Sequence, residues 1–147
     1  MKIKFDMDGT IANLYGVNGW LDDLTGYSTR PFEVAKPLVN MSVLARIIHK
    51  LQVKGYEVGI ISWTPPTDLE FYEKKVEYVK MQWLQKHLPS VQFDEILILP
   101  YKTPKENYAE IGDILFDDEL KNREAWNEKG IAYDETKIFE ILKELAK

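Results

Sequence analysis

Short apolar runs alternate with helix-length segments along this chain, and that alternation is what most limits its fold. Lys2 to Asp6, "EVGIIS" (Glu57 to Ser62), "EILIL" (Glu95 to Leu99) and "DILFDD" (Asp113 to Asp118) each read as a strand, and the apolar run of "EVGIIS" has the length of one covered on both faces. A short fifth strand is expected near Ile131 to Tyr133. Strands separated by helices pair in parallel through crossovers, so the pattern predicts an α/β chain with a parallel sheet.

The intervening segments carry helix signals. A helix from about Met41 to Lys54 places Met41, Leu44, Ile48 and Leu51 on one face, with Gly55 as its terminator. The longest predicted helix, from Thr67 to Pro89, opens on a Thr67–Glu70 capping box and carries Leu69, Tyr72, Val76, Val79 and Trp83 as its apolar stripe. Thr103-Pro104-Lys105-Glu106 predicts a second capping box, with proline at the first helical position of a short helix. Further helices are expected from about Leu120 to Lys129, stopped by Gly130, and from about Glu135 onward.

At 147 residues the chain fits one domain, with 45% hydrophobic and 29% charged residues and no repeat or linker. A net charge of -5 argues against bulk nucleic-acid binding or an anionic membrane surface. No apolar run has the length of a membrane span and no secretory h-region opens the chain, so a cytoplasmic protein is the expectation. The absence of cysteine excludes thiolate chemistry and cysteine–zinc sites. His49 and His87 fall within helices and read as ordinary helix residues.

One stretch escapes the alternation. Residues 11–40 are far longer than the usual connection of about four to six residues and hold Tyr15, Trp20, Tyr27, Arg30 and Phe32. An aromatic-rich excursion directly after the first strand is a candidate lid over a substrate.

In open parallel sheets, functional groups gather beyond the carboxyl ends of the strands. Those ends carry Asp6 and Asp8, then Ser62, then Lys105, then Asp117 and Asp118. Two carboxylates one residue apart at the end of an apolar strand repel each other, and burial raises that cost. Mg²⁺, a hard cation that prefers oxygen ligands, would offset it. Such a cluster suits phosphoryl chemistry: Asp6 as the nucleophile, Asp8 as general acid and base, and the metal, lysine and hydroxyl balancing phosphate charge. Thr64 is a rival to Ser62 for the hydroxyl, and Lys102 to Lys105 for the lysine.

"DMDGT" resembles the first motif of the haloacid dehalogenase superfamily of phosphohydrolases, D-x-D-G-[TV] at the end of the first strand. Ser62 matches the second motif, Lys105 the third, and "ILFDDE" the fourth, in the family's order and across nearly the whole chain. Within it, "DMDGTIA" and "DILFDDELKNREAW" are similar to the 5'-deoxynucleotidase-like branch, with Asn122 and Trp126 in the helix that follows. The resemblance implies a three-layer Rossmann-like fold with strand order 3-2-1-4-5, in which residues 11–40 form a small cap on a single domain. It implies a Mg²⁺-dependent phosphomonoesterase that forms an aspartyl-phosphate. Asp6, the Asp8 carbonyl and the Asp117–Asp118 pair would hold the metal, with Asp118 the favoured acid of that pair. Thr10, Tyr15, Trp20 and Arg30 are the candidate substrate contacts, and Tyr27 joins Tyr15 and Trp20 as a candidate to stack on a base.

The expected partner is a small phosphorylated substrate, a nucleotide being one candidate, and a short cap leaves room for a second subunit or a large substrate to cover the site. Another phosphoester, or a non-catalytic binding role, are the alternatives. A phospho-accepting receiver domain is excluded, because its third strand would end in an aspartate and here it ends in Leu99-Pro100.

Overall fold

The computed structural model describes residues 1–147. Five parallel strands form one sheet in the order β3-β2-β1-β4-β5: β1 (Lys2–Phe5), β2 (Glu57–Trp63), β3 (Glu95–Leu99), β4 (Ile114–Phe116) and β5 (Ile131–Tyr133). Both the strand order and the α/β class are those expected. The first strand is central, with Ile3 opposite Val58 of β2 on one side and Ile114 of β4 on the other. Its ladder continues one residue further, because the Asp6 N–H donates to the Phe116 carbonyl at 2.9 Å. That bond lays the end of β1 against the end of β4.

Helices cover both faces of the sheet. On one face, α3 (Met41–Val53) presents Leu44, Ile48 and Leu51, and α6 (Ile138–Leu145) presents Ile138 and Leu142. These close over Ile3, Phe5, Ile114 and Phe116, together with Trp83 and Leu84 of α4 (Glu70–His87). On the other face, α5 (Leu120–Trp126) drives Trp126 against Ile61, Leu115 and Ala109. Trp126 is fully buried, and its indole N–H donates to the Asp113 carbonyl at 2.9 Å. No helix is long and apolar enough to cross a membrane.

Residues 11–40 are not structureless. They hold α1 (Trp20–Thr25), α2 (Arg30–Val34) and a single 3₁₀ turn at Leu14–Gly16. Helices this short are marginal alone, and tertiary contact holds them. Leu14 and Phe32 pack on Tyr72 and Val76 of α4. The Tyr72 hydroxyl donates to the Ser28 carbonyl at 2.8 Å, and the Trp83 indole N–H to the Ala35 carbonyl at 2.8 Å.

Two capping boxes expected from the sequence do not form. Helix α4 starts at Glu70 with Leu69 at its N-cap, and the Thr67 hydroxyl instead accepts from the Leu69 N–H at 3.1 Å. Leu69 consequently falls outside the buried stripe and is 44% exposed. The segment after Thr103 is a 3₁₀ helix, Lys105–Tyr108, with Pro104 at its N-cap rather than in its first turn. The Thr103 hydroxyl turns back to donate to the Pro100 carbonyl at 2.6 Å. A helix of four residues has little dipole for Lys105 to oppose; burial beside two carboxylates accounts for that lysine.

Candidate active site

The strand ends bring Asp6, Lys105 and Asp117 into one buried cluster. Lys105 Nζ lies 3.1 Å from Asp6 Oδ1 and 2.7 Å from Asp117 Oδ2, and the lysine is 2% exposed. Burial pulls the Lys105 ammonium toward neutrality, but Asp6 and Asp117 more than offset this and raise its pKa above the ordinary lysine value. Its rival Lys102 is exposed, with a left-handed backbone (φ 65°) and its ammonium near the Tyr101 ring.

Asp117 is saturated. Besides Lys105 it accepts from the Glu119 N–H at 2.9 Å and from Asn122 Nδ2 at 3.1 Å, while Arg123 donates to its carbonyl at 2.9 Å. Asp118 is less engaged. The Thr10 hydroxyl, which accepts from the Asp118 N–H at 3.2 Å, lies 3.2 Å from Asp118 Oδ1 and 3.3 Å from Asp6 Oδ2. Thr10 is therefore a buried tie between the two acids and is absent from the cavity wall.

Carboxylate oxygens of Asp6, Asp117 and Asp118 lie within 4.8 Å of one another. Burial, then repulsion from Asp6, raises the proton affinity of both Asp117 and Asp118. Gly9, at φ +81°, makes the turn beside them, and a Cβ there would stand 2.3 Å from Asp118 Oδ2. Crowded hard-oxygen donors with excess negative charge, and a backbone kept bare to admit Asp118, fit a divalent cation of the Mg²⁺ type. Asp118 has the oxygens freest to bind it.

Asp8 is held differently. Its Oδ2 lies 2.7 Å from Lys80 Nζ, and the same ammonium donates to Ser62 Oγ at 2.8 Å and to the Trp63 carbonyl at 2.7 Å. Burial, opposed by Lys80, raises the Asp8 pKa above its ordinary value. Lys80 is 1% exposed and was not among the candidates. Its signal was present: four residues after Val76 and three before Trp83, it is a lysine on the apolar face of α4. Ser62, expected to meet a phosphate, is fully buried behind Lys80 and does not line the cavity. Thr64 does line it, with its hydroxyl 3.4 Å from the Leu99 carbonyl.

A cavity of about 350 Å³ opens over these acids, with Asp6, Asp8, Asp118 and Lys105 in its wall. Residues 11–40 supply Leu14, Tyr15, Trp20, Leu21, Leu24 and Phe32 on one side. Trp63, Pro65, Pro66 and Tyr101 line it from the body of the fold. Tyr15 and Trp20 meet edge to face at 5.0 Å, and burial, then the nearby Asp8 and Asp118, raises the Tyr15 pKa. Besides Thr10 and Ser62, two candidates from the insert do not line the cavity. Arg30 binds Asp23 at 2.9 Å and the Asn18 carbonyl at 2.8 Å, so its charge is used within the insert. Tyr27 packs edge-on against Tyr72.

No family model matches the sequence, and no curated protein matches it. Among solved structures, the crystal structure of D,D-heptose 1,7-bisphosphate phosphatase from Burkholderia thailandensis is similar in fold, with a TM-score of 0.54 over 88% of this chain and 74% of that one. The identity is 14%. The likeness is one of fold, the α/β architecture with a parallel sheet expected from the strand pattern.

Proposed function

We propose that the protein is a Mg²⁺-dependent phosphomonoesterase that works through an aspartyl-phosphate on Asp6. The observation that carries this is the pairing of two differently held carboxylates at one cavity floor: Asp6 beside Lys105, and Asp8 fixed by Lys80. The fold likeness to a phosphatase supports it.

Lys105 and Thr10 hold the Asp6 carboxylate so that an oxygen can face phosphorus. That oxygen forms the new O–P bond as the ester O–P bond breaks. Asp8, in the cavity wall beside Asp6, gives a proton to the leaving alkoxide. It then takes a proton from the water that attacks the aspartyl-phosphate, which releases inorganic phosphate and restores Asp6. Asp6, Asp118 and the Asp8 carbonyl would hold the metal, with Asp117 behind them, and the metal would supply positive charge against the phosphoryl oxygens.

For the substrate we favour a nucleoside monophosphate, on the strength of the motif wording and the aromatic cavity wall. The test is hydrolysis of p-nitrophenyl phosphate and a panel of 5'- and 3'-nucleotides, with and without Mg²⁺. Asp6→Asn should abolish turnover while the circular dichroism spectrum stays native. Turnover that survives chelation, or survives Asp6→Asn with deamidation excluded by mass spectrometry, would remove the covalent metal-assisted mechanism.

A further inference from the structure

The side of the cavity that the sequence did not foretell is built on Trp63 and Tyr101. Trp63 is the last residue of β2, and its indole N–H donates to the Thr103 carbonyl at 2.8 Å. Its ring centre lies 5.1 Å from Lys105 Nζ, and Tyr101 meets it edge to face at 5.5 Å and 75°. A strand end, a hydrogen bond, a cation and a second ring thus fix the orientation of this indole before anything binds. Through Lys105 it also adjoins the proposed nucleophile, since that ammonium is 3.1 Å from Asp6 Oδ1.

Charge restricts what such a wall can receive. The cavity lining contains one cation, Lys105, already bound to two carboxylates, against Asp6, Asp8, Asp118 and Glu119. The remaining lining is apolar, polar-neutral or aromatic. A phosphate on the reacting side would be balanced by the metal and Lys105. A second phosphate would face carboxylates with no further cation in the lining.

We propose that Trp63, braced by Tyr101, is the specificity-determining wall of this site, and that it selects monophosphate esters with a flat, uncharged leaving group while rejecting those with a second phosphate. The proposal rests on the phosphomonoesterase reading and adds the substrate class. An indole already fixed in place loses little freedom on binding, which is where pre-organised sites gain their affinity. The selection separates this site from the bisphosphate named for its fold neighbour.

The test compares 1-naphthylmethyl phosphate with ethyl phosphate, whose leaving alcohols are similar in basicity, and adds a hexose bisphosphate. Wild type, Trp63→Ala, Trp63→Phe and Tyr101→Ala are assayed with Mg²⁺. The ratio of kcat/KM for the naphthylmethyl ester over the ethyl ester should fall on the order of 5- to 100-fold in Trp63→Ala, as ring truncations do for stacked bases. The loss should lie in KM, Trp63→Phe should recover most of it, Tyr101→Ala should show a smaller fall, and the bisphosphate should be the poorest wild-type substrate. An unchanged ratio in Trp63→Ala, equal losses on both esters, or efficient turnover of the bisphosphate would overturn the proposal. If the wild type hydrolyses nothing, the phosphatase reading fails by itself. Calorimetric titration of the same two esters into wild type and Trp63→Ala then decides the wall: a loss confined to the naphthylmethyl ester upholds it, and equal affinities refute it. Should Trp63→Ala fail to fold, Tyr101→Ala carries the same comparison: a fall in the ratio upholds the proposal and an unchanged ratio overturns it.

Discussion

Replacing Lys80 by methionine keeps most of the side-chain volume and removes one charge from the middle of the protein. The ammonium is 1% exposed and serves three acceptors: Asp8 Oδ2, Ser62 Oγ and the Trp63 carbonyl. Removing one partner of a buried ion pair costs roughly 3–5 kcal/mol, because the other charge stays behind without compensation. The Asp8 side chain is 17% exposed and retains some water, which places the expected loss near the lower end, about 3 kcal/mol. With an unfolding entropy of roughly 2.1 cal/mol/K per residue, a chain of 147 residues should then melt about 10 °C lower. Urea unfolding of wild type, Lys80→Met, Asp8→Asn and the double variant closes a thermodynamic cycle. The double variant should recover about 1–3 kcal/mol relative to the sum of the single losses, as contacting residues do. A Lys80→Met loss below about 1 kcal/mol, or a coupling of zero, would show that this ion pair is hydrated in solution and would refute its buried role.

Three further outcomes follow from the geometry. Gly9→Ala places a Cβ 2.3 Å from Asp118 Oδ2 on a backbone at φ +81°, so it should displace Asp118 and abolish the rise in melting temperature produced by Mg²⁺; an undiminished rise would exclude Asp118 as a ligand. Asp8→Asn should lower kcat by roughly 10²–10⁴-fold, the usual range for a lost general acid–base, and a loss under about tenfold would remove Asp8 from proton transfer. Trp126→Phe removes one of two donors to the Asp113 carbonyl, the Ile131 N–H being the other, and leaves a gap beside it, so chemical denaturation should show a loss of about 1–3 kcal/mol; an unchanged midpoint would mean that neither the indole bond nor its packing contributes to stability.

The strands and the acids at their ends were legible because both follow from local pattern, whereas the strand order came from the family resemblance. Runs such as "EVGIIS" have one reading as covered strands, and Asp6, Asp117 and Asp118 sit where parallel sheets converge. Helix starts were less legible. Thr67 and Thr103 have the spelling of capping boxes, yet each hydroxyl found a nearer turn partner. Lys80 and Trp63 were missed for a third reason. The role of Lys80 arises between α4 and the ends of β1 and β2, and that of Trp63 between the end of β2 and the segment after β3; only a lysine on an apolar helix face hinted at the first. Arg30 and Tyr27 show the converse, since a polar or aromatic residue in an insert can be used up holding the insert together.

The central position of β1 has a consequence for biogenesis. The strand that carries Asp6 is synthesised first, yet its neighbours in the sheet are Val58 and Ile114, opposite Ile3. At about 5–20 residues per second, the ribosome takes several seconds to deliver the second of them. Until Phe116 emerges, the Asp6 N–H lacks its native acceptor, and the apolar edge of β1 is open to other partners. The acids of the first and fourth strands therefore meet late, and ribosome-bound chains halted before β4 should be protease-sensitive and inactive, however well their first strand is made.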